Sequence, residues 1–239
     1  MNIYGKNAIR EALKGGHQMD RVIFSENIKD DEISALAKKQ GIRVEIYSKG
    51  AFQKAFGDKN GGVVAIASEY EYSSLDTLLL KARKLDECVI LLLDGLEDPH
   101  NLGAILRSCD ATGVLGVVLP KNRSVHLNDT VAKVSTGAIE HVDCCMVTNL
   151  NQTIEKLKEN GFWVIGLELS GTIDYRDADY KGKVAIVVGS EGKGIAPLVQ
   201  RNCDLLVKIP MFGKVNSLNA SVSAGIILYE AIRHRRNNG

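Results

Sequence analysis

The chain has 239 residues, 45% of them hydrophobic and 25% charged, with a formal net charge of +1. That is an ordinary globular composition, with room for one large domain or for a small one beside a medium one. The near-neutral balance removes overall charge as an argument for nucleic acid, so a basic footprint has to be local, and no apolar run is long enough to span a membrane.

Residues 1–69 alternate helix and strand patterns. A helix is predicted over Asn7–Lys14 and a short strand over Arg21–Ser25. Asp30 is placed to cap a helix through Lys39, with Gly41 as its C′ glycine. Strands follow at Arg43–Ser48 and Val63–Ser68, separated by a glycine-rich loop over Gly57–Gly62. Residues 70–87 read as a linker running into a helix. From Cys88 the pattern is more regular: strand candidates are Cys88–Leu93, Val114–Leu119, Val142–Val147, Phe162–Leu167, Val184–Val188 and Leu205–Ile209, with helical patterns between most of them. This predicts a mostly parallel sheet covered on both faces over residues 88–239.

The five cysteines (Cys88, Cys109, Cys144, Cys145, Cys203) include no C-x-x-C pair, and most fall in apolar runs. Together with the lack of a leader pattern, they point to reduced thiols and a cytoplasmic setting. His141 beside Cys144 and Cys145 lacks a second ligand pair, so no metal site is expected. The basic tail Arg233-His234-Arg235-Arg236 reads equally as an RNA contact and as favourable charge at a helix C-terminus.

Three motifs carry chemistry. The first, residues 94–113, follows a strand and opens a helix whose Leu102, Ile105, Leu106 and Cys109 form a buried stripe. A second stripe sets Arg107 among the small residues Ala104, Ser108 and Ala111, which favours close approach by something large over a surface ion pair. Asn101, near the helix start, is by itself a candidate cap. The second motif empties a strand into Gly189–Gly194. It is neither a P-loop nor G-x-G-x-x-G, and the companions of its S-x-x-K (Ser190, Lys193) are missing. What remains is a glycine loop presenting Glu191. The third runs from Ile209 to Leu228: a strand end, a loop, the polar cluster Asn216, Ser217 and Asn219, then a small-residue helix. Main-chain amides collect at such a helix start. Val222, Ile226 and Tyr229 are expected to be that helix's packing face.

N-L-G-A-I-L-R (101–107), G-S-E-G-K-G (189–194) and S-L-N-A-S-V-S-A (217–224), in this order, resemble the signatures of the SpoU (TrmH-like) RNA ribose 2′-O-methyltransferases of the SPOUT superfamily. The resemblance covers residues 88–236. The start, Y-G-K-N-A-I-R-E-A-L (4–13), resembles the RNA substrate-binding domain of the RlmB-type 23S rRNA guanosine methyltransferases. The resemblance implies an α/β fold: a parallel sheet with a trefoil knot, preceded by a small ribosomal-protein-like RNA-binding domain. It further implies a homodimer that binds S-adenosyl-L-methionine and methylates a ribose 2′-hydroxyl in large-subunit rRNA or an assembling ribosomal particle. Main chain at Gly189, Ile209 and Leu218 would hold the adenosine part, with Gly166 and Leu167 lining its pocket. Arg107 would have the central catalytic role, supported by Asn101, Glu191, Ser217 and Asn219. Two accounts of Arg107 are open: it acts as the base itself, or, the favoured reading because a guanidinium normally stays protonated, it clamps the neighbouring phosphate while another oxygen accepts the proton. Glu191 would orient Arg107 or Asn101. The alternatives are a tRNA guanosine 2′-O-methyltransferase, a catalytically silent RNA-binding assembly factor, and a nucleotide hydrolase, which lacks its Walker lysine.

Overall fold

The computed structural model describes the chain except for residues 1, 16–18, 58–60, 68–69, 215–216 and 237–239. It divides into two compact units, Met1–Tyr70 and Glu71–Gly239.

In the first unit, β1 (Asn2–Tyr4), α1 (Lys6–Lys14), β2 (Met19–Ser25), α2 (Asp31–Lys39), β3 (Arg43–Tyr47), α3 (Lys49–Phe56) and β4 (Val63–Ala67) build a four-stranded sheet in the order β1-β4-β2-β3. Only β2 and β3 pair parallel; β4 runs antiparallel to β1 and β2. Asp30 caps α2 as expected, its side chain accepting from the Ile33 amide at 3.1 Å, and Gly41 follows with φ +72°. Helix α3 is an addition to the expected elements, started by Ser48 accepting from the Ala51 amide at 3.3 Å. Ile9 and Leu13 of α1 and Ile33 and Ala37 of α2 pack on Val22, Phe24, Val63 and Ala65. Several charges at the facing ends of these helices pair with one another. Arg10 pairs with Asp30 at 2.6 Å and Lys14 with Glu32 at 2.9 Å, while Lys6 lies 3.6 Å from Asp30. Burial opposes ionisation of Asp30, but the Ile33 amide and the Arg10 guanidinium outweigh it and hold the carboxyl below its ordinary range.

The second unit opens with α4 (Leu75–Ala82), whose Leu78, Leu79 and Ala82 are buried beside Cys88, Ile90 and Leu92. The segment that reads as a linker thus supplies core to this unit. It continues with β5 (Cys88–Asp94), α5 (Pro99–Thr112), β6 (Gly116–Pro120), α6 (Asp129–Ser135), β7 (Cys144–Val147), α7 (Leu150–Glu159), β8 (Trp163–Leu167), β9 (Ile173–Asp174), β10 (Lys183–Gly189), α8 (Pro197–Asn202), β11 (Leu205–Lys208) and α9 (Ala220–Arg236). The seven strands lie in the order β7-β6-β5-β10-β8-β11-β9, and their paired neighbours run parallel. Both faces are covered, which is why the strands are apolar throughout rather than alternating. Along β5, Val89, Leu91 and Leu93 enter one core with α5 and α9, and Cys88, Ile90 and Leu92 enter the other with α4 and α7.

Helix α9 corrects one expectation. Its packing face is Ala220, Ala224, Ile227, Leu228 and Ala231, all buried, whereas Val222 is 49% and Tyr229 59% exposed and Ile226 is half-buried. Small residues on the inner face allow α9 to lie close against α5; a Cβ added at Gly225 would sit 3.6 Å from the Ser108 hydroxyl. No helix among the described residues is long and apolar enough to cross a membrane.

Candidate active site

In a parallel sheet, loops leaving the carboxyl ends of the strands surround crevices where ligands bind. Here they surround two. The smaller, about 280 Å³, lies beyond β8, β10 and β11. Of the residues expected to hold a cofactor, Leu167, Gly189, Ile209 and Leu218 line it, joined by Ser217. Gly166 does not. A Cβ there would meet Leu206 at 2.7 Å and the Cys203 sulfur at 3.0 Å, so it lies behind the wall, against side chains of the core. The lining also includes Glu168 and Leu169, which follow Leu167 outside the three motifs, and Met211, which lies in the third motif but is not singled out by it. Glu168 is structurally occupied: its carboxylate accepts from the Ile195 amide at 2.8 Å and from the Leu169 amide at 2.9 Å. It thereby ties the end of β8 to the exit of the glycine loop.

That loop folds back on itself. Ser190 and Gly194 exchange main-chain hydrogen bonds of 3.2 and 3.0 Å. A Cβ at Gly189 would sit 2.1 Å from the Gly194 carbonyl carbon, so only glycine permits the closure. Closure presents Glu191 to two other motif residues. Its Oε1 accepts from Asn101 Nδ2 at 3.1 Å, from the Ala220 amide at 3.1 Å, and from Asn219 Nδ2. Asn219 Nδ2 also donates to Asn101 Oδ1 at 2.9 Å, closing a ring of three side chains drawn from three distant motifs. Asn101 is not a helix cap. Asp98 has that role in α5, accepting from the His100 amide at 2.9 Å, which frees the buried Asn101 amide for the ring. Asn219 has both jobs, since its Oδ1 accepts from the Ser221 and Val222 amides at 2.9 and 3.3 Å in the first turn of α9. Of the alternatives open to Glu191, the structure brings it to Asn101 and not to Arg107.

Arg107 stands apart. It lies on the exposed side of α5, six residues beyond Asn101, which along a helix is roughly 9 Å. It has no hydrogen bond or ion pair among the described residues and lines neither crevice. Asn216 lies outside the described residues.

The second crevice is larger, about 690 Å³, and lies beyond β5, β6, β7 and β10; it shares Ser190, Glu191, Lys193 and Gly194 with the first and also includes Asn101. The three-residue ring therefore stands where the two meet. No group of three or more metal-ligating side chains occurs among the described residues. The five cysteines are free thiols, and burial pushes Cys144 up to about 12 and Cys109 higher still, which leaves both as packing groups rather than nucleophiles.

Comparison with known proteins agrees with this geometry. Residues 88–229 match the model of the SpoU rRNA Methylase family, and residues 2–73 match a domain described as RNA 2′-O ribose methyltransferase substrate binding. A Staphylococcus aureus (strain COL) relative, assigned to the TrmH family of tRNA/rRNA methyltransferases, is 48% identical over 99% of this chain and 97% of its own. Among solved structures, the AdoMet-bound rRNA methyltransferase of Sinorhizobium meliloti superposes with a TM-score of 0.68 at 26% identity, covering 98% of this chain and 87% of that one. The SpoU methyltransferase AviRb of Streptomyces viridochromogenes shares the fold with a TM-score of 0.71 at 22% identity, covering 100% and 90%. The chain belongs to the SpoU rRNA Methylase family. It is an RNA methyltransferase with a separate domain for its RNA substrate.

Proposed function

We propose that the chain transfers a methyl group from S-adenosyl-L-methionine to the ribose 2′-hydroxyl of a guanosine in 23S rRNA, as a cytoplasmic homodimer. The observation that carries this reading is the Asn101–Glu191–Asn219 ring at the junction of two crevices, one fitted to a cofactor and the other open to a substrate. The smaller crevice suits the adenosine part of the cofactor: Leu167, Met211 and Leu218 offer apolar walls, and the strand ends at Gly189 and Ile209 offer main-chain groups that can discriminate a purine edge. Bound there, S-adenosylmethionine supplies an electrophilic methyl group on a good leaving group. The work left to the protein is alignment of the ribose and removal of a proton from a weak acid.

The ring residues serve the alignment. Glu191 fixes the Asn101 and Asn219 amides by accepting from both, so that the mouth of the cofactor crevice is held before RNA arrives. Ser217, on the same wall, offers a hydroxyl to the ribose. Arg107 remains a cation and grips the phosphate next to the target, while an oxygen of the site accepts the proton. Its lack of a partner among the described residues supports that reading, because a structural guanidinium normally has a carboxylate beside it. The homodimer is supported by the stripe Val222, Ile226 and Tyr229 on α9, an exposed apolar face suited to a second copy. The five free thiols favour a reducing compartment. The trefoil knot belongs to the same proposal.

The test is transfer of labelled methyl to unmodified large-subunit rRNA and, in parallel, to bulk tRNA. Ribose-methylated guanosine in rRNA alone is the expected product. Label in tRNA alone reassigns the substrate, and no label in either RNA or in assembling particles refutes the reading. Glu191→Gln is expected to lower turnover roughly 10²-fold, as misplaced reactants do, with cofactor binding retained. Near-full turnover by Arg107→Lys would overturn the clamp.

A further inference from the structure

The larger crevice contains side chains that the reading above leaves unused. Of its carboxylates, Asp94 accepts from the Ala196 amide at 2.7 Å, Asp98 caps α5, and Glu191 belongs to the ring. Glu97 has no partner among the described residues, and neither do Asn122 and Arg123 on the loop that follows β6. Arg123 is also held at φ +56°, in the left-handed region that long side chains rarely adopt; Thr136 is the other non-glycine residue so placed among the described residues. Backbone of this kind clusters at ligand sites, where it aims a side chain. One crevice is thus lined by a free carboxylate, a free amide and a guanidinium on constrained backbone, together with Asn101 and Glu191.

We infer that this crevice is a base-reading subsite for the methylated nucleotide, and that Glu97 and Arg123 make it select guanine. Guanine presents two adjacent donors, N1–H and the N2 amino group, which one carboxylate accepts together, and two adjacent acceptors, O6 and N7, which one guanidinium engages together. Uracil offers a single donor between two acceptors, so it leaves a carboxylate half-paired and places a carbonyl against it. An unpaired Glu97 and an unpaired Arg123 in one crevice match the guanine pattern, with Asn122 free to add a donor or an acceptor. The volume, about 690 Å³, falls within the roughly 300–1,000 Å³ range of small-ligand clefts and leaves room for the ribose to reach the ring. The word "methylated" rests on the proposed function; the preference for guanine does not.

The experiment titrates the whole chain with guanosine and uridine 5′-monophosphates by ligand-observed NMR, alongside the methyl-transfer assay. The guanine nucleotide is expected to bind about tenfold or more tightly than the uracil nucleotide, in line with the worth of one bidentate base contact. Glu97→Ala should erase the preference. Arg123→Gly, which accommodates the positive φ without strain, should weaken the guanine nucleotide at least fivefold, and Glu159→Gln on α7 should change nothing. Equal affinity for both nucleotides, no binding, or an intact preference in Glu97→Ala overturns the inference. A guanine preference without methyl transfer to any RNA overturns the proposed function and leaves the subsite standing; transfer without the preference does the reverse.

Discussion

Removing the Glu191 carboxylate should destabilise the second unit by an amount that follows from its partners. In Glu191→Ala three donors lose one acceptor oxygen: Asn101 Nδ2, Asn219 Nδ2 and the Ala220 amide. Hydrogen bonds to a charged group contribute about 1.5–3 kcal/mol each, and a buried donor left unmade costs about 1–3 kcal/mol. Glu191 itself is exposed, so water reaches part of the vacated space and the lower end applies. Asn101, only 7% exposed, and the part-buried Ala220 amide are the two donors hardest to rehydrate. They account for about 2–3 kcal/mol, to which loss of a carboxylate at the start of α9 adds about 0.5 kcal/mol. For a unit of this size roughly 2–4 °C of Tm follow each kcal/mol, so thermal melts of Glu191→Ala should fall by about 5–14 °C. Glu191→Gln keeps an acceptor and should lose roughly a third of that. A Glu191→Ala melt within 1 °C of the parent would show that the ring does not hold the site together.

Gly189→Ala places a methyl 2.1 Å from the Gly194 carbonyl carbon, so the loop must open. Calorimetry with S-adenosylhomocysteine should show at least a tenfold weaker complex and a stability loss of about 1–3 kcal/mol. Asp143 is held below its ordinary value of 3.8: burial opposes its ionisation, but hydrogen bonds from Lys81 and Ser73 prevail. Its contribution is therefore complete above that value and lost as pH falls through the lowered one. Asp143→Asn should cost about 1 kcal/mol at neutral pH, modest because the pair is partly exposed, and urea midpoints of variant and parent should converge toward acid pH. Val222→Asp with Tyr229→Asp should raise the dissociation constant of the proposed dimer roughly 10²-fold or more in sedimentation equilibrium, with the monomer still folded.

The parallel sheet was legible because strands buried on both faces are continuous apolar runs, as Cys88–Leu93 and Val184–Val188 are. Helix α3 was not, since Lys49 to Phe56 is short, begins with Lys49-Gly50, and sends only Phe52 fully into the core. The two-residue β9 carries no periodicity at all. On α9 the large residues Val222, Ile226 and Tyr229 suggest a packing face that the structure leaves wholly or partly exposed. The inner side is marked by Ala220, Ala224 and Ala231 together with Ile227 and Leu228, the alanines letting the helix pack close against α5. In the site, each of Asn101, Glu191 and Asn219 was visible as a polar residue at the edge of an element, but their ring spans 118 residues of sequence and exists only through the sheet order. The difference between Asn101 as a cap and Asn101 as a site residue turned on Asp98, three positions earlier, taking the cap first.

The self-neutralised pairing of α1 with α2 bears on how the RNA-binding unit meets its substrate. A cation that contacts phosphate displaces a condensed counterion, and the number displaced sets how steeply affinity falls with salt. Lys6, Arg10 and Lys14 are already spoken for by Asp30 and Glu32, so this face has few counterions to release. RNA contacts made through this face should therefore weaken only gently as ionic strength rises.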